Sequence, residues 1–149
     1  MKIRKANLND LDQLSKLFDA YRGFYKYASD IASAKDFLYQ RMVNKESEIF
    51  VAENEDFSIA GFVQLYPLFS STRLKRLWLL NDLFVNEAYR GKKYGELLIE
   101  EVKKFAKTTI SCGFILETEK KNLIGNNLYL KVGLNLDKEH NFYFWDNEE

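Results

Sequence analysis

A chain of 149 residues with 22 basic and 22 acidic side chains and 46% apolar residues has the dimensions of one globular domain, so residues 1–149 are expected to fold together. Zero formal net charge argues against the basic field that nucleic acid or an anionic membrane requires, and any phosphate contact must be local. The apolar run Leu77 to Leu80 is far short of the roughly 20 residues that span a bilayer, the lone Cys112 forms no internal disulfide, no metal-ligand spacing occurs, and MKIRKANLND carries no signal-peptide apolar run, so a metal-free cytoplasmic protein is expected.

Residues 2–6 read as a strand. Asn7 with Asp10 three positions on has the form of a helix cap, and Leu11, Leu14, Phe18 and Tyr21 repeat at helical spacing, which predicts a helix over about 8–22. A second helix is predicted from Asp30 to about residue 43, carrying Ile31, Phe37, Leu38 and Met42. The loop between the two is rich in rings: Tyr21, Phe24, Tyr25 and Tyr27. From Glu48 the period changes, and 49–52, 59–66 and 74–85 read as three strands of an antiparallel meander. Residues 94–107 return to helix, with Leu98, Val102 and Phe105 on one face and Glu100 four residues before Lys104. A strand over 113–118, a helix over 122–131 stopped by Gly133, and a closing strand from Phe142 to Trp145 complete the order β-αα-βββ-α-β-α-β. This is an α/β fold with a mixed, mostly antiparallel central sheet flanked by helices.

Two features stand out from this frame. With 12 Phe, 9 Tyr and 2 Trp the chain is unusually aromatic, so some rings are expected to line a pocket. The segment Arg90-Gly91-Lys92-Lys93-Tyr94-Gly95 lies between a strand and a helix start. There, glycines let backbone approach an anion, and the helix end offers unpaired N–H groups and a positive dipole. The segment lacks the Gly-Lys-Ser/Thr ending of a triphosphate loop and the glycine spacing of a dinucleotide fold, which leaves a pyrophosphate cradle or a plain basic surface turn.

The stretch LNDLFVNEAYRGKKYGELLIEEVKKFA resembles motif A of the GNAT superfamily of N-acetyltransferases, whose pattern is Arg/Gln-x-x-Gly-x-Gly/Ala. Arg90, Lys93 and Gly95 fall at its first, fourth and sixth positions, and Gly91 at the frequent second-position glycine. Lys93 stands where glycine is usual; either the turn demands a strained φ there or the side chain adds a charge beside the phosphates. The resemblance implies the acyl-CoA N-acyltransferase fold, acetyl-CoA as cosubstrate, an amine acceptor and a homodimer. It places the pantetheine arm on the backbone of Leu83, Phe84 and Val85, and the pyrophosphate on backbone N–H groups across Gly91, Lys92, Lys93, Tyr94, Gly95 and Glu96. In the last helix Asn122, Gly125, Leu128, Tyr129 and Gly133 match the family pattern Asn-x-x-Ala-x-x-Leu-Tyr-x-x-x-Gly. This implies that Asn122 holds the CoA arm and Tyr129 protonates the leaving thiolate, or that Tyr129 only packs.

A lysine-like acceptor has a pKa near 10.4, so only about one molecule in 10³ is a neutral nucleophile at pH 7.4. Asp82 is the candidate to bind that ammonium and accept its proton; the alternative is a strand residue paired with Arg73, Lys75 or Arg76. The segment LNDLFV resembles the polyamine N-acetyltransferase branch, with Asn81 in place of the first of two acids there. Glu117 is a second candidate base, and Tyr21, Tyr25 and Tyr27 are candidate walls of the acceptor pocket, where rings can box an ammonium by cation–π contact. His140 and Cys112 receive no role, and Glu148 and Glu149 read as a solvated tail. Three functions compete: an N-acetyltransferase acting on a small primary amine or a peptide amine, an acyl-CoA sensor without turnover, and an interaction domain whose aromatics form a dimer face.

Overall fold

The computed structural model describes residues 1–147; the tail read at Glu148 and Glu149 lies outside them. β1 (Lys2–Lys5) leads through a single 3-10 turn into α1 (Leu11–Phe24). At this junction the expected cap closes as a full capping box: Asn7 Oδ1 accepts from Asn9 N, and Asp10 Oδ2 accepts from Asn7 N at 2.8 Å. Asp10 also takes a two-pronged bond from Arg4, 2.8 Å on each side. α2 (Ile31–Val43) follows, capped by Asp30.

β2 (Glu48–Glu53), β3 (Ile59–Ser70) and β4 (Lys75–Val85) form the predicted meander, α3 (Tyr94–Thr108) crosses over, and β5 (Phe114–Ile115) pairs parallel with β4. The strand order is β1-β2-β3-β4-β5, antiparallel except at the last pair. In β5 and α3 two details differ from expectation. Strand 113–118 shrinks to two residues because only Trp78↔Phe114 and Leu79↔Ile115 pair before the two strands part. On α3 the ion pairs form at i,i+3, Lys103 with Glu100 and Lys104 with Glu101.

Two apolar layers hold the sheet. Leu14, Leu17, Phe18, Ala34 and Leu38 from α1 and α2 pack on Ile49, Val51 and Phe62, whereas Leu98, Val102 and Ala106 from α3 pack on Phe50, Val63, Leu65, Trp78 and Leu80. Each fully buried side chain of this size contributes about 1.5–3 kcal/mol relative to exposure. A β-bulge decides what β4 sends to each layer. The ladder runs Gln64↔Asp82 and then Leu65↔Leu80, leaving Asn81 unmatched. Leu83 and Val85 face the α3 layer, and the extra residue lets Leu80 and Trp78 face it too, while Phe84 joins the α1/α2 layer.

The chain divides into two compact units, Met1–Glu117 and the stretch from Thr118 onward. The second unit holds α4 (Leu123–Lys131), which ends as expected at Gly133: φ is +87°, Gly133 N donates to Leu130 O and Leu134 N to Tyr129 O. The closing strand does not form. Phe142, Tyr143, Phe144 and Trp145 adopt no regular structure, are 75–85% exposed, and pair with no strand among the described residues. The β preference of aromatic residues reflects packing on a pleated, half-buried surface, and these rings have no such surface.

Candidate active site

The loop between β4 and α3 is built from backbone. Asn86 caps a 3-10 turn, Gly91 takes φ +75°, and Lys93 takes φ +67° as the residue preceding α3. Lys93 thus adopts the left-handed conformation that glycine would take without strain. No side chain caps α3; its first bond is Leu97 N to Lys93 O, and the N–H groups of Tyr94 and Gly95 have no partner among the described residues. The Tyr94 ring is turned away to Tyr89 and its hydroxyl donates to Asn54 Oδ1 at 2.7 Å, so Tyr94 offers this end its backbone only. Arg90 folds back, with Nε on Val85 O at 3.1 Å and its guanidinium over the Phe84 ring at 5.4 Å. Lys92 bonds Ala88 O and covers Tyr89. The Arg90 and Lys92 side chains are thus engaged with the preceding strand and turn, and no side chain caps the helix end.

Beside this loop β4 is open. Once β5 leaves at Leu79, residues 80–85 have no strand on their outer edge among the described residues; the Val85 carbonyl there is taken by Arg90 Nε, and the edge beside Leu83 and Phe84 is left without a strand. An extended chain carrying amides can lie along such an edge. A phosphate-bearing cofactor with an amide arm, as in acetyl-CoA, fits these two features together.

Asp82 lies at the bulge and is 3% exposed. Gln64 Nε2 donates to its Oδ2 at 2.6 Å and Asn81 Nδ2 to its Oδ1 at 3.1 Å. Ser47 Oγ donates to Gln64 Oε1 at 2.8 Å, which fixes the glutamine amide with its nitrogen toward the carboxylate. The Tyr21 hydroxyl sits 3.3 Å from Asn81 O and also reaches Asp82. Burial pushes the Asp82 carboxyl above its ordinary value, against the opposing bonds from Gln64, Tyr21 and Asn81. The predicted alternative of a partner at Arg73, Lys75 or Arg76 is not what forms: the side chains bonded to Asp82 are uncharged. On β3, burial and then the Asp82 charge push the Tyr66 phenol up to about 12, while Arg41 pulls the other way.

The rings fall into two groups. Tyr21 packs edge-on to Phe62, Phe84 and Tyr25, so Tyr21 and Tyr25 belong to an aromatic string that ends beside Asp82. Tyr27 is 65% exposed, with the Arg22 guanidinium over its ring. Glu117 is exposed and stands beyond the end of β5 rather than on it. In the second unit Asn122 caps α4: Oδ1 accepts from Gly125 N and Nδ2 donates to Thr118 Oγ1 at 2.9 Å. A Cβ at position 125 would meet that amide nitrogen, so an alanine here requires the Asn122 side chain to shift. Tyr129 is half-buried on the same helix. Sequence reading missed Ser47, Gln64, Tyr66 and Arg41. The usable signal was Gln64 itself, a polar residue inside the apolar run of a central strand. Among the described residues no group of three His, Cys, Asp or Glu side chains gathers to hold a metal, and no helix is long and apolar enough to cross a membrane.

A helix-flanked mixed sheet parted between β4 and β5, with an uncapped helix behind the parting, defines the acyl-CoA N-acyltransferase fold. The model of the acetyltransferase (GNAT) family matches residues 14–134. An uncharacterised N-acetyltransferase of Bacillus subtilis (strain 168) is 41% identical over 137 residues, 92% of this chain and 91% of its own. A probable acetyltransferase of Haemophilus influenzae is 37% identical over 117 residues, 78% and 80% of the two chains. A crystal structure of a probable acetyltransferase superposes with a TM-score of 0.95 at 35% identity, covering 100% of this chain and 99% of that one. The chain belongs to the GNAT family and is an N-acetyltransferase.

Proposed function

We propose that the chain carries an acetyl group from acetyl-CoA to the primary amine of a small molecule, with Asp82 as base and Tyr129 as acid. The observation that carries this reading is Asp82: a buried carboxylate held by neutral donors, at the bulge of an open strand, with an aromatic string leading to it. Acetyl-CoA supplies the activated acetyl as a thioester. Backbone N–H groups from Gly91 to Glu96, with Arg90, Lys92 and Lys93 around them, hold its pyrophosphate; Leu83, Phe84, Val85 and Asn122 hold its arm. Asp82 takes a proton from the acceptor ammonium, the neutral amine forms the C–N bond as the C–S bond breaks, and Tyr129 gives the sulfur a proton; the new amide nitrogen then sheds its second proton, which restores the Tyr129 phenol, and Asp82 releases its own to solvent. A raised carboxyl suits this task because a base works best with a pKa near the working pH. Tyr21, Tyr25, Tyr27 and Glu117 complete the acceptor side.

Residues 1–149 work as one domain in this proposal, a view supported by the family match running through the division between the two units. A homodimer is part of it, supported by the exposed rings of 142–145, and so is a cytoplasmic setting, in keeping with the free Cys112 thiol. One observation favours a second reading, a sensor without turnover: a strained lysine in the cradle at the usual glycine position.

Acetyl-CoA titration by calorimetry, followed by thiol release with polyamines, amino acids, aminoglycosides and lysine peptides, separates the two. Binding with release is expected. Heat without release across the panel supports the sensor, and no heat refutes both. Tyr129→Phe is expected to cut turnover about 10²-fold or more with acetyl-CoA affinity kept; unchanged turnover removes Tyr129 as the acid.

A further inference from the structure

The helical layer over Asp82 also holds a cation whose bonding is incomplete. Arg41, in the last turn of α2, stacks its guanidinium on Phe37 at 4.5 Å. Its Nε lies 2.9 Å from Glu46 Oε2, yet off the axis a hydrogen bond needs: this nitrogen is buried and has no hydrogen-bond partner. Among the described residues Nη1 and Nη2 make no hydrogen bond either. A guanidinium presents five N–H donors in a planar fork matched to a carboxylate, and a buried unpaired donor is costly. Glu46 is 47% exposed and stands beside the fork without closing it.

The segment that carries this cation is tied to Asp82 by a short run of hydrogen bonds. Glu46 N bonds Arg41 O, the adjacent Ser47 donates to Gln64, and Gln64 donates to Asp82. The run starts at the Arg41 backbone and crosses β3 to the carboxylate. Tyr66, two residues past Gln64, lies within the field of both charges. Arg41 also lines a shallow cavity of about 480 Å³ along α2 with Ala32, Ser33, Asp36, Phe37 and Gln40, so this residue borders open space.

We infer that Arg41 binds a carboxylate of the acceptor while Asp82 holds its ammonium, which makes the acceptor an amine that also carries a carboxylate, of the amino-acid class, rather than a plain polyamine. This rests on Asp82 facing the acceptor. A diamine would leave the guanidinium with no counterion but Glu46 and bring a second ammonium toward it. An amino acid presents the opposite charge at each end of the run.

The test uses acceptor pairs that differ by one carboxylate, L-ornithine against putrescine and L-lysine against cadaverine, with thiol release as the readout. The wild-type protein is expected to favour the carboxylated member of each pair at least tenfold in kcat/KM. Arg41→Gln is expected to erase that preference, chiefly through KM. Arg41→Lys, which keeps the charge and loses the fork, is expected to lower it at least threefold. Equal rates within each pair for the wild type, or a preference that survives both substitutions, overturns the inference. Equilibrium binding of the same four compounds by calorimetry separates this from the catalytic reading. If nothing is turned over, the reading of Asp82 and Tyr129 as catalysts fails; carboxylate-dependent affinity that Arg41→Gln removes still upholds the Arg41 site, and its absence refutes it. If Arg41→Gln shows no cooperative unfolding transition, the Arg41→Lys ratio decides.

Discussion

Replacing Lys93 with glycine separates the two things a lysine does in the cradle. Its φ of +67° costs a side-chain-bearing residue about 1–2 kcal/mol, whereas glycine occupies that region freely but loses about 0.5–1 kcal/mol more chain entropy on folding. Lys93 also sets a cation at the positive end of α3 without capping it, an unfavourable placement of about 0.3–1 kcal/mol. Lys93→Gly is therefore expected to stabilise the fold by about 1 kcal/mol, which for a chain of this size raises Tm by roughly 2–4 °C. Lys93→Ala removes the same charge and keeps the Cβ, so its gain should be limited to the dipole part. If backbone N–H groups hold the pyrophosphate, acetyl-CoA affinity should fall no more than about fivefold in either variant, the worth of one exposed ion pair. Thermal unfolding and calorimetric titration of the three proteins read both quantities. Equal Tm changes for glycine and alanine would refute the strain, and loss of acetyl-CoA binding in Lys93→Gly would mean that the side chain, not the backbone, is the cradle.

Ile110 presents the same strain away from the site. It has φ +54° and is exposed, just after α3, where Ile110 N bonds Lys107 O and Ser111 N bonds Ala106 O. That is a glycine position occupied by a β-branched residue, and Ile110→Gly is expected to raise stability by about 1 kcal/mol in urea unfolding with turnover unchanged. Asp10 acts in the opposite sense. Arg4 holds its carboxyl below the usual range, and Asp10→Asn is expected to cost about 2 kcal/mol at pH 7. A depressed carboxylate contributes stability above its unfolded pKa and loses it as pH falls through the folded value, so the gap between wild type and Asp10→Asn should narrow below about pH 4.

What could be read from the residues follows how local each signal is. The capping box at Asn7 and Asp10, the stop at Gly133 and the meander of β2, β3 and β4 rest on neighbours within a few positions, and each forms as expected. The loop before α3 was legible for the same reason: its glycines and the helix start are close in sequence, and the helix begins uncapped at Tyr94. Features that depend on distant partners were not. The bulge at Asn81, which turns Asp82 to one layer and Leu80 to the other, arises from β3 and leaves no mark in the spacing of β4. The network Ser47–Gln64–Asp82 joins the residue before β2 to β3 and β4, and the Arg41 charge bears on the neighbouring Tyr66 from a helix that reads as an ordinary amphipathic surface. The run Phe142 to Trp145 has strand composition and no strand partner among the described residues, so composition alone misled. Equal numbers of acids and bases conceal this arrangement: Arg90, Lys92 and Lys93 follow the single carboxylate of β4, Asp82, within the next 11 residues.

The central claim is that Asp82 takes the proton from the acceptor. It is tested most directly by the pH dependence of kcat/KM, followed by thiol release, for the wild type and Asp82→Asn. Because burial raises the carboxyl, the wild-type rate should climb with pH through a limb above the ordinary aspartate value near 3.9, as the base sheds its own proton. In Asp82→Asn that limb should vanish and kcat/KM should fall about 10²–10⁴-fold with acetyl-CoA affinity retained. An acid limb that persists in Asp82→Asn at near wild-type rate would contradict the account.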